Sequence, residues 1–136
     1  AGAATDVLIS GAGWALGMVR EAWQQAQGAD VAYRYVGESE AELIKRTGRI
    51  PNVDKWGKPK PVFTTTNYYE TVEEAEAGLK IGRQHPEGPF EPPTHRVTYN
   101  RNAVRYRYAG NVEGGTGIEM ITDQSIPALR VEPLRR

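Results

Sequence analysis

Three features of the sequence carry residue types that can do chemistry. Arg34 stands between two tyrosines, the hydroxyl run Thr64–Thr66 follows Phe63, and Glu119 follows the glycine-rich stretch 114–117. A guanidinium can clamp phosphate oxygens through two parallel hydrogen bonds. A carboxylate can stabilise positive charge that develops beside it, and hydroxyl groups can orient such a carboxylate. Taken singly, each feature has an ordinary structural explanation, because ion-paired arginines, threonine-rich strands and exposed glutamates are common.

Taken together and in this order, the three features resemble the Arg, Ser/Thr and Glu signature of ADP-ribosyltransferases. That family has an Arg on its first strand, a Ser-Thr-Ser-like run opening its second, and a Glu on a later strand behind a recognition loop. The phrase Gly-Gly-Thr-Gly-Ile-Glu, followed by Ile-Pro, is similar to the ends of toxin domains fused to Rhs-type polymorphic-toxin carriers. The resemblance covers roughly residues 31 to 134. It implies an α+β fold with a split, mostly antiparallel sheet and flanking helices.

The resemblance also implies a substrate, NAD⁺, and a role for each feature. Glu119 would stabilise the positive charge on the ribose as nicotinamide leaves, Arg34 would hold the pyrophosphate, and the hydroxyl of Thr64 would orient Glu119. Tyr68 or Tyr69 would stack on nicotinamide, because an aromatic face suits a flat cationic ring. The implied catalytic residues are Glu119, Arg34 and Thr64. The implied NAD-binding residues are Arg34, Tyr35, Phe63, Thr64, Thr65, Thr66, Tyr68 and Tyr69.

The family expectation is a mono-ADP-ribosyltransferase toxin of interbacterial competition. It would be secreted or delivered, act in the target-cell cytoplasm, and modify a macromolecule such as elongation factor Tu or RNA. A cognate immunity protein is the expected partner, and neither a metal nor a membrane is expected to take part. One position departs from the family pattern: Gly117 stands where many members carry the Glu or Gln that helps to select the acceptor. The acceptor therefore stays open, and a NAD glycohydrolase that uses water in the same cleft is an alternative.

Two other functions remain open from the residues alone. A metal-independent ribonuclease could draw acid-base and phosphate-binding groups from one further set of side chains. That set is Thr94, His95, His85, Arg96 and Arg105. The alternation Arg105 to Tyr108 offers charge and aromatic rings to RNA, although the same pattern is typical of an exposed edge strand. The third function is a non-catalytic interaction module.

Bulk composition limits these choices. The chain has 136 residues, which suits one domain with one core. Its 17 basic and 17 acidic residues balance, whereas a protein that depends on phosphate-backbone attraction is usually basic. There are no cysteines, so disulfides, thiol nucleophiles and thiolate metal sites are excluded, and two histidines cannot alone build a typical zinc site.

The elements that must position the chemistry begin after residue 30. Residues 5–27 are predicted as a helix capped by Asp6, so that 1–30 would be a helix or linker from a larger carrier and 31–136 the toxin domain. Its apolar part, 7–19, is too short to span a bilayer. The run 31–36 is predicted as the strand that carries Arg34. A capping box at Ser39 predicts a helix that ends at Gly48.

The remaining predictions concern the other two features. The stretch 49–61 is predicted as a loop, and 62–66 as the strand with the hydroxyl run. A second capping box, at Thr71, predicts a helix that ends at Gly82. Further strands are predicted at 94–99, 103–108, 118–122 and 129–131, with a loop at 110–117 before Glu119.

Overall fold

The described part of the chain folds as α+β with antiparallel sheets. The computed structural model describes the backbone of residues 7–8 and the whole of residues 30–136. The strands are β1 (Val7–Leu8), β2 (Val31–Val36), β3 (Arg49–Ile50), β4 (Val62–Thr64), β5 (His95–Asn100), β6 (Tyr108–Asn111), β7 (Ile118–Thr122), β8 (Ile126–Pro127) and β9 (Arg130–Pro133). The helices are α1 (Glu38–Thr47) and α2 (Val72–Leu79), and the 3₁₀ turns are Gly82–Gln84 and Arg101–Ala103. Every pairing between these strands is antiparallel.

The strands form two main sheets that meet at one residue pair. A four-stranded sheet has the order β1-β9-β5-β2, a three-stranded sheet has the order β4-β7-β6, and β3 pairs only with β8. Tyr33 on the edge strand β2 exchanges two backbone hydrogen bonds with Thr65, just beyond β4, at N···O distances of 2.8 and 2.9 Å. This bridge joins the two sheets beside Arg34 and at the hydroxyl run.

The core explains why these elements pack as they do. α1 buries Ala41 and Ile44 in the main cluster of apolar side chains, to which the strands contribute, among others, Val97 and Val131. α1 ends at Gly48, whose φ of 77° is the left-handed conformation that glycine adopts without a Cβ clash. A smaller cluster beneath α2 packs its Val72 and Ala75 against Tyr35 and Leu134.

Several predicted elements are confirmed. The strand 31–36 has the predicted bounds, and α1 ends at Gly48 as predicted. The capping box at α2 is present, because the Thr71 hydroxyl accepts from the Glu74 N–H at 3.1 Å and the Glu74 carboxylate accepts from the Thr71 N–H at 3.3 Å. The strand that carries Glu119 also has its predicted bounds.

Other predictions about helix ends are wrong. Ser39 is not a cap, because β2 stays paired to β5 up to Val36 and the chain turns at Gly37, which is the N-cap of α1. α2 ends at Leu79 and not at Gly82, since Lys80 already has a left-handed backbone. The predicted helix 5–27 is wrong at residues 7–8, which form β1 and pair with β9. The remainder of that helix and its Asp6 cap lie outside the described residues.

The strand predicted at 103–108 is also displaced. Residues 101–103 form a 3₁₀ turn and β6 begins only at Tyr108. Side-chain hydrogen bonds hold the intervening segment: the Tyr106 hydroxyl donates to the Arg101 carbonyl at 2.8 Å, and the Thr122 hydroxyl donates to the Arg105 carbonyl at 2.6 Å. The pair β3–β8 was missed because each strand is only two residues long; β3 lies in the predicted loop 49–61, and β8 lies between the strands predicted at 118–122 and 129–131. Within the described ranges, no helix is long and apolar enough to cross a membrane.

Candidate active site

One cavity receives residues from all three predicted features. It has a volume of about 350 Å³ and lies where the two sheets meet. Arg34 from β2, the Thr64–Thr65 pair at the end of β4, and Glu119 from β7 all line it. Tyr35 and Phe63 line it as well, so six of the residues named from the sequence share one site.

Arg34 is fixed in the cavity wall by two elements. Its Nε and Nη2 donate to the two carboxylate oxygens of Glu40 on α1, at 2.7 and 2.9 Å, and its Nη1 donates to the Phe63 carbonyl at 2.9 Å. Burial raises the pKa of Glu40, but the charge and hydrogen bonds of Arg34 outweigh burial and hold this pKa below its usual range. The guanidinium is thus oriented before any ligand arrives, with three of its five N–H groups used.

Glu119 differs from Arg34 in having no partner among the described residues. Its neighbour Met120 points into the core, and because side chains alternate along a strand, Glu119 points to the other face. Gly110 lies opposite on β6, and the Tyr108 ring covers it on this face, because a Cβ at Gly110 would lie 2.8 Å from Tyr108 Cζ. Within residues 30–136, no hydrogen bond or ion pair engages the Glu119 carboxylate. A half-buried carboxylate that faces a cavity is available to a ligand.

The three threonines occupy different environments. The buried Thr64 hydroxyl donates to the Met120 carbonyl at 3.3 Å and accepts from the Tyr99 hydroxyl at 2.8 Å, so it is not directed at Glu119. The Thr65 hydroxyl donates to Asn67 Oδ1 at 3.0 Å, and the same oxygen accepts from the Ile118 N–H at 2.7 Å. The third member, Thr66, is half-buried and does not line the cavity.

Asn67 therefore links the two chemistry-bearing strands. It holds the residue before Glu119 against the end of the hydroxyl run. Continuing the β4–β7 register by one residue, beyond the pair Thr64–Met120, also brings Thr65 to the level of Glu119. The hydroxyl run therefore positions the Glu119 carboxylate through the pairing of the two backbones. The hydroxyl nearest to Glu119 in the strand register is that of Thr65.

The two tyrosines predicted to stack on nicotinamide lie outside the cavity lining. Tyr68 is half exposed, stands edge-on to Tyr33 at 5.5 Å and lies beneath the guanidinium of Arg96 at 4.1 Å. Tyr69 packs against Tyr35, with ring centroids 5.7 Å apart. The aromatic residues that do line the cavity are Tyr33, Tyr35 and Phe63.

Tyr35 helps to shape the cavity more than to perform chemistry. Its hydroxyl donates to the Asn67 carbonyl at 2.8 Å and accepts from the Tyr69 N–H at 2.7 Å. Burial raises the pKa of Tyr35 far above its usual value, so the phenol stays protonated. The phenol thereby ties β2 to the chain that follows the hydroxyl run.

Four further residues with polar side chains line the cavity, and of these the sequence had suggested a role for His85 alone, in the ribonuclease alternative. They are Tyr33, Lys80, His85 and Glu91. Lys80 and His85 lie in the turn after α2, whereas the sequence predicted that this helix continues to Gly82. The backbone N–H of Glu87 donates to His85 Nδ1 at 3.0 Å, which places the proton of the neutral ring on Nε2. Nε2 is therefore the nitrogen of the neutral His85 ring that can donate a hydrogen bond.

Comparison with known proteins identifies no relative. No family model matches the chain, and no curated protein or solved structure matches it. The functional proposal therefore depends on the residues of this cavity and on the resemblance of the three motifs.

The alternative set suggested for a ribonuclease is not assembled in one place. Of its five members, only His85 lines the cavity. Arg96 is buried between β2 and β9, where it bonds the Tyr69 carbonyl at 2.8 Å and the Glu132 carboxylate at 2.7 Å. The Thr94 hydroxyl lies 2.8 Å from His95 Nδ1, away from the cavity lining. In the described part of the chain, no group of His, Asp or Glu side chains is arranged to hold a metal ion.

Proposed function

We propose that this protein is a NAD⁺-consuming ADP-ribosyltransferase. The observation that carries the proposal is the convergence of an oriented guanidinium (Arg34), the Thr65 end of the hydroxyl run and an unpaired carboxylate (Glu119) on one cavity. These residues come from three strands in two sheets and are up to 85 positions apart in the sequence, which is the difference between 119 and 34. Three such groups that were exposed independently of one another would have no reason to line the same cavity.

The chemistry would centre on Glu119. The bond that breaks joins C1′ of the ribose to the nicotinamide nitrogen, and nicotinamide leaves with the electron pair. Positive charge then builds on the ribose, and the carboxylate beside it binds this state more tightly than it binds neutral ribose. An acceptor nucleophile forms the new bond at C1′ and gives up its proton.

Arg34 would hold the pyrophosphate. Glu40 and Phe63 use three of its N–H groups, which leaves two for phosphate oxygens in the same plane. Because the guanidinium is already ion-paired, ligand binding need not pay to order a free side chain. Phe63, with 46% of its surface exposed, gives the cavity an aromatic face on which a flat ring can stack.

The size of the cavity suits part of the dinucleotide. Small-molecule sites typically measure about 300–1,000 Å³, and this cavity of about 350 Å³ is near the lower bound. It would enclose the nicotinamide and its ribose, where water must be excluded, and leave the adenosine half at the rim.

The biological setting follows the same resemblance. We propose a toxin domain of a polymorphic, Rhs-type carrier that reaches the cytoplasm of a target bacterium and modifies a macromolecule there, with elongation factor Tu and RNA as candidates. An immunity protein that covers the cavity would protect the producing cell.

A NAD glycohydrolase is the second candidate, and one observation favours it. Position 117, from which related enzymes engage the acceptor, is closed to side chains. A Cβ at Gly117 would lie 2.8 Å from the Tyr69 hydroxyl, 2.9 Å from a Leu79 methyl and 3.1 Å from the Gly78 carbonyl. With no side chain there to align an acceptor, water would serve as the nucleophile.

An experiment with NAD⁺ labelled in the adenylate phosphate separates these outcomes. The protein is incubated with labelled NAD⁺ and a bacterial lysate, free nicotinamide is quantified, and protein and RNA are separated. Transfer predicts label on one polymer, whereas hydrolysis predicts nicotinamide release with all label in free ADP-ribose. RNA degradation without added NAD⁺, or no nicotinamide release at all, would contradict the proposal.

A further inference from the structure

Lys80 has a backbone conformation that its residue type disfavours. It follows α2 directly, with a φ of 55° and a ψ of 51°. Helices often end in this left-handed conformation, but the residue there is usually glycine, because a Cβ crowds the adjoining carbonyl. In residues 30–136, Lys80 is the only residue other than glycine with a positive φ.

The Lys80 side chain lines the cavity. Lys80 as a whole is half-buried, its ammonium donates to Gln84 Oε1 at 3.1 Å, and no carboxylate of the described residues forms an ion pair with it. An ammonium has three N–H donors, so two remain for a ligand. A cation held at the wall of a cavity and bonded to a neutral amide is suited to binding an anion.

The turn that presents Lys80 is fixed from behind. The buried carboxylate of Glu76 on α2 accepts from the backbone N–H of Arg83 at 2.9 Å and from its Nη2 at 2.6 Å. Gly82 lies between Glu76 and Arg83 in the chain and has a φ of 59°. A Cβ on Gly82 would lie 2.5 Å from the Glu76 carboxylate. The turn is therefore preorganised, and its strained residue is the one whose side chain reaches the cavity.

We propose that Lys80 is a ligand-binding residue whose ammonium contacts phosphate oxygens of the molecule bound in the cavity. Glycine would relax the backbone at this position but would remove the ammonium, so the strain is retained for binding. This inference rests on the proposed function, in which the ligand carries a pyrophosphate. Arg34 and Lys80 would then contact that group from two walls of the cavity.

Two substitutions separate the charge from the backbone strain. Lys80→Met keeps the Cβ and the length of the side chain but removes the charge, whereas Lys80→Gly removes both the charge and the strain. The probes are ADP-ribose, which carries the pyrophosphate, and nicotinamide, which does not. Affinities are measured by calorimetry and melting temperatures by circular dichroism.

We expect both variants to bind ADP-ribose about tenfold more weakly than the parent protein, which corresponds to one charge-assisted hydrogen bond, with nicotinamide affinity unchanged. Lys80→Gly should melt about 3–5 °C above Lys80→Met because it lacks the strain. The control Lys58→Met, an exposed lysine outside the cavity lining, should bind like the parent protein.

The outcomes distinguish this inference from the proposed function. If the parent protein binds ADP-ribose and both Lys80 variants bind it equally well, Lys80 is not a binding residue although the proposed function stands. If the parent protein binds neither probe, both proposals are overturned. Equal melting of the two variants would show that the backbone at Lys80 is not strained, and strain would then no longer be a reason to assign a binding role to this lysine.

Discussion

The ion pair between Arg34 and Glu40 should make a measurable contribution to stability. Its two hydrogen bonds are 2.7 and 2.9 Å long, and the side chains are only 16% and 19% exposed, so solvent screens the pair weakly. Glu40→Gln keeps the shape of the side chain but leaves the guanidinium without a counter-charge in a half-buried wall. We expect it to lower the free energy of unfolding by about 2 kcal/mol, as for loss of a hydrogen bond to a charged group.

A double-mutant cycle isolates the pairwise part of this effect. Glu40→Gln, Arg34→Met and the double variant are unfolded in urea, and the m value shows whether the transitions remain comparable. The double variant should be more stable than the sum of the single effects predicts, by about 2 kcal/mol. Glu42→Gln is the control, because Glu42 is 60% exposed and lies 3.4 Å from Lys45, and it should cost less than about 0.5 kcal/mol. A coupling energy below about 0.5 kcal/mol between Arg34 and Glu40 would refute the reasoning.

Two further predictions concern acid and the loop before Glu119. Arg34 lowers the pKa of Glu40 in the folded state. The contribution of Glu40 to stability should therefore be complete above the ordinary carboxyl pKa of about 4.3, and it should be lost as the pH falls through the lower pKa of the folded state. The midpoint of urea unfolding, measured between about pH 6 and pH 2, should therefore fall less steeply with acid in Glu40→Gln than in the parent protein. Parallel curves for the two proteins would contradict this. Gly115→Ala should cost about 2 kcal/mol, since its Cβ would overlap the Gly78 carbonyl, whereas the control Gly37→Ala, with open space, should cost much less in the same assay. Equal effects would show that the loop yields without strain.

Local patterns predicted the elements that are set by local forces. The β-branched and aromatic residues of 31–36 predicted a strand, and Gly48 predicted the end of α1, because local preferences are strong at both places. The Thr71 capping box formed for the same reason. One local signal was misleading: Ser39 and Glu42 have the pattern of a capping box, but the chain already turns at Gly37 and α1 begins at Glu38, one residue before Ser39.

The sequence predicted several of the residues that line the candidate site but not which side chains contact one another there. Arg34 and Glu119 line the same cavity as expected, yet the ion pair with Glu40 spans six positions from strand to helix and leaves no sequence pattern. Lys80 could not be found at all, since nothing local marks a lysine that ends a helix with a left-handed backbone. Tyr68, expected to stack on the substrate, is instead held beneath Arg96, which lies 28 positions away in the sequence, the difference between 96 and 68.

The central claim is that the Glu119 carboxylate promotes loss of nicotinamide from NAD⁺ bound in the cavity. The most direct test is the rate of nicotinamide release at saturating NAD⁺ for the parent protein, Glu119→Gln and Glu113→Gln, with equal melting temperatures as a check on folding. Glu113 is an exposed carboxylate in the neighbouring loop and does not line the cavity. We predict that Glu119→Gln slows release by about 100-fold or more and that Glu113→Gln has no effect. Release from Glu119→Gln at the parental rate would contradict the account.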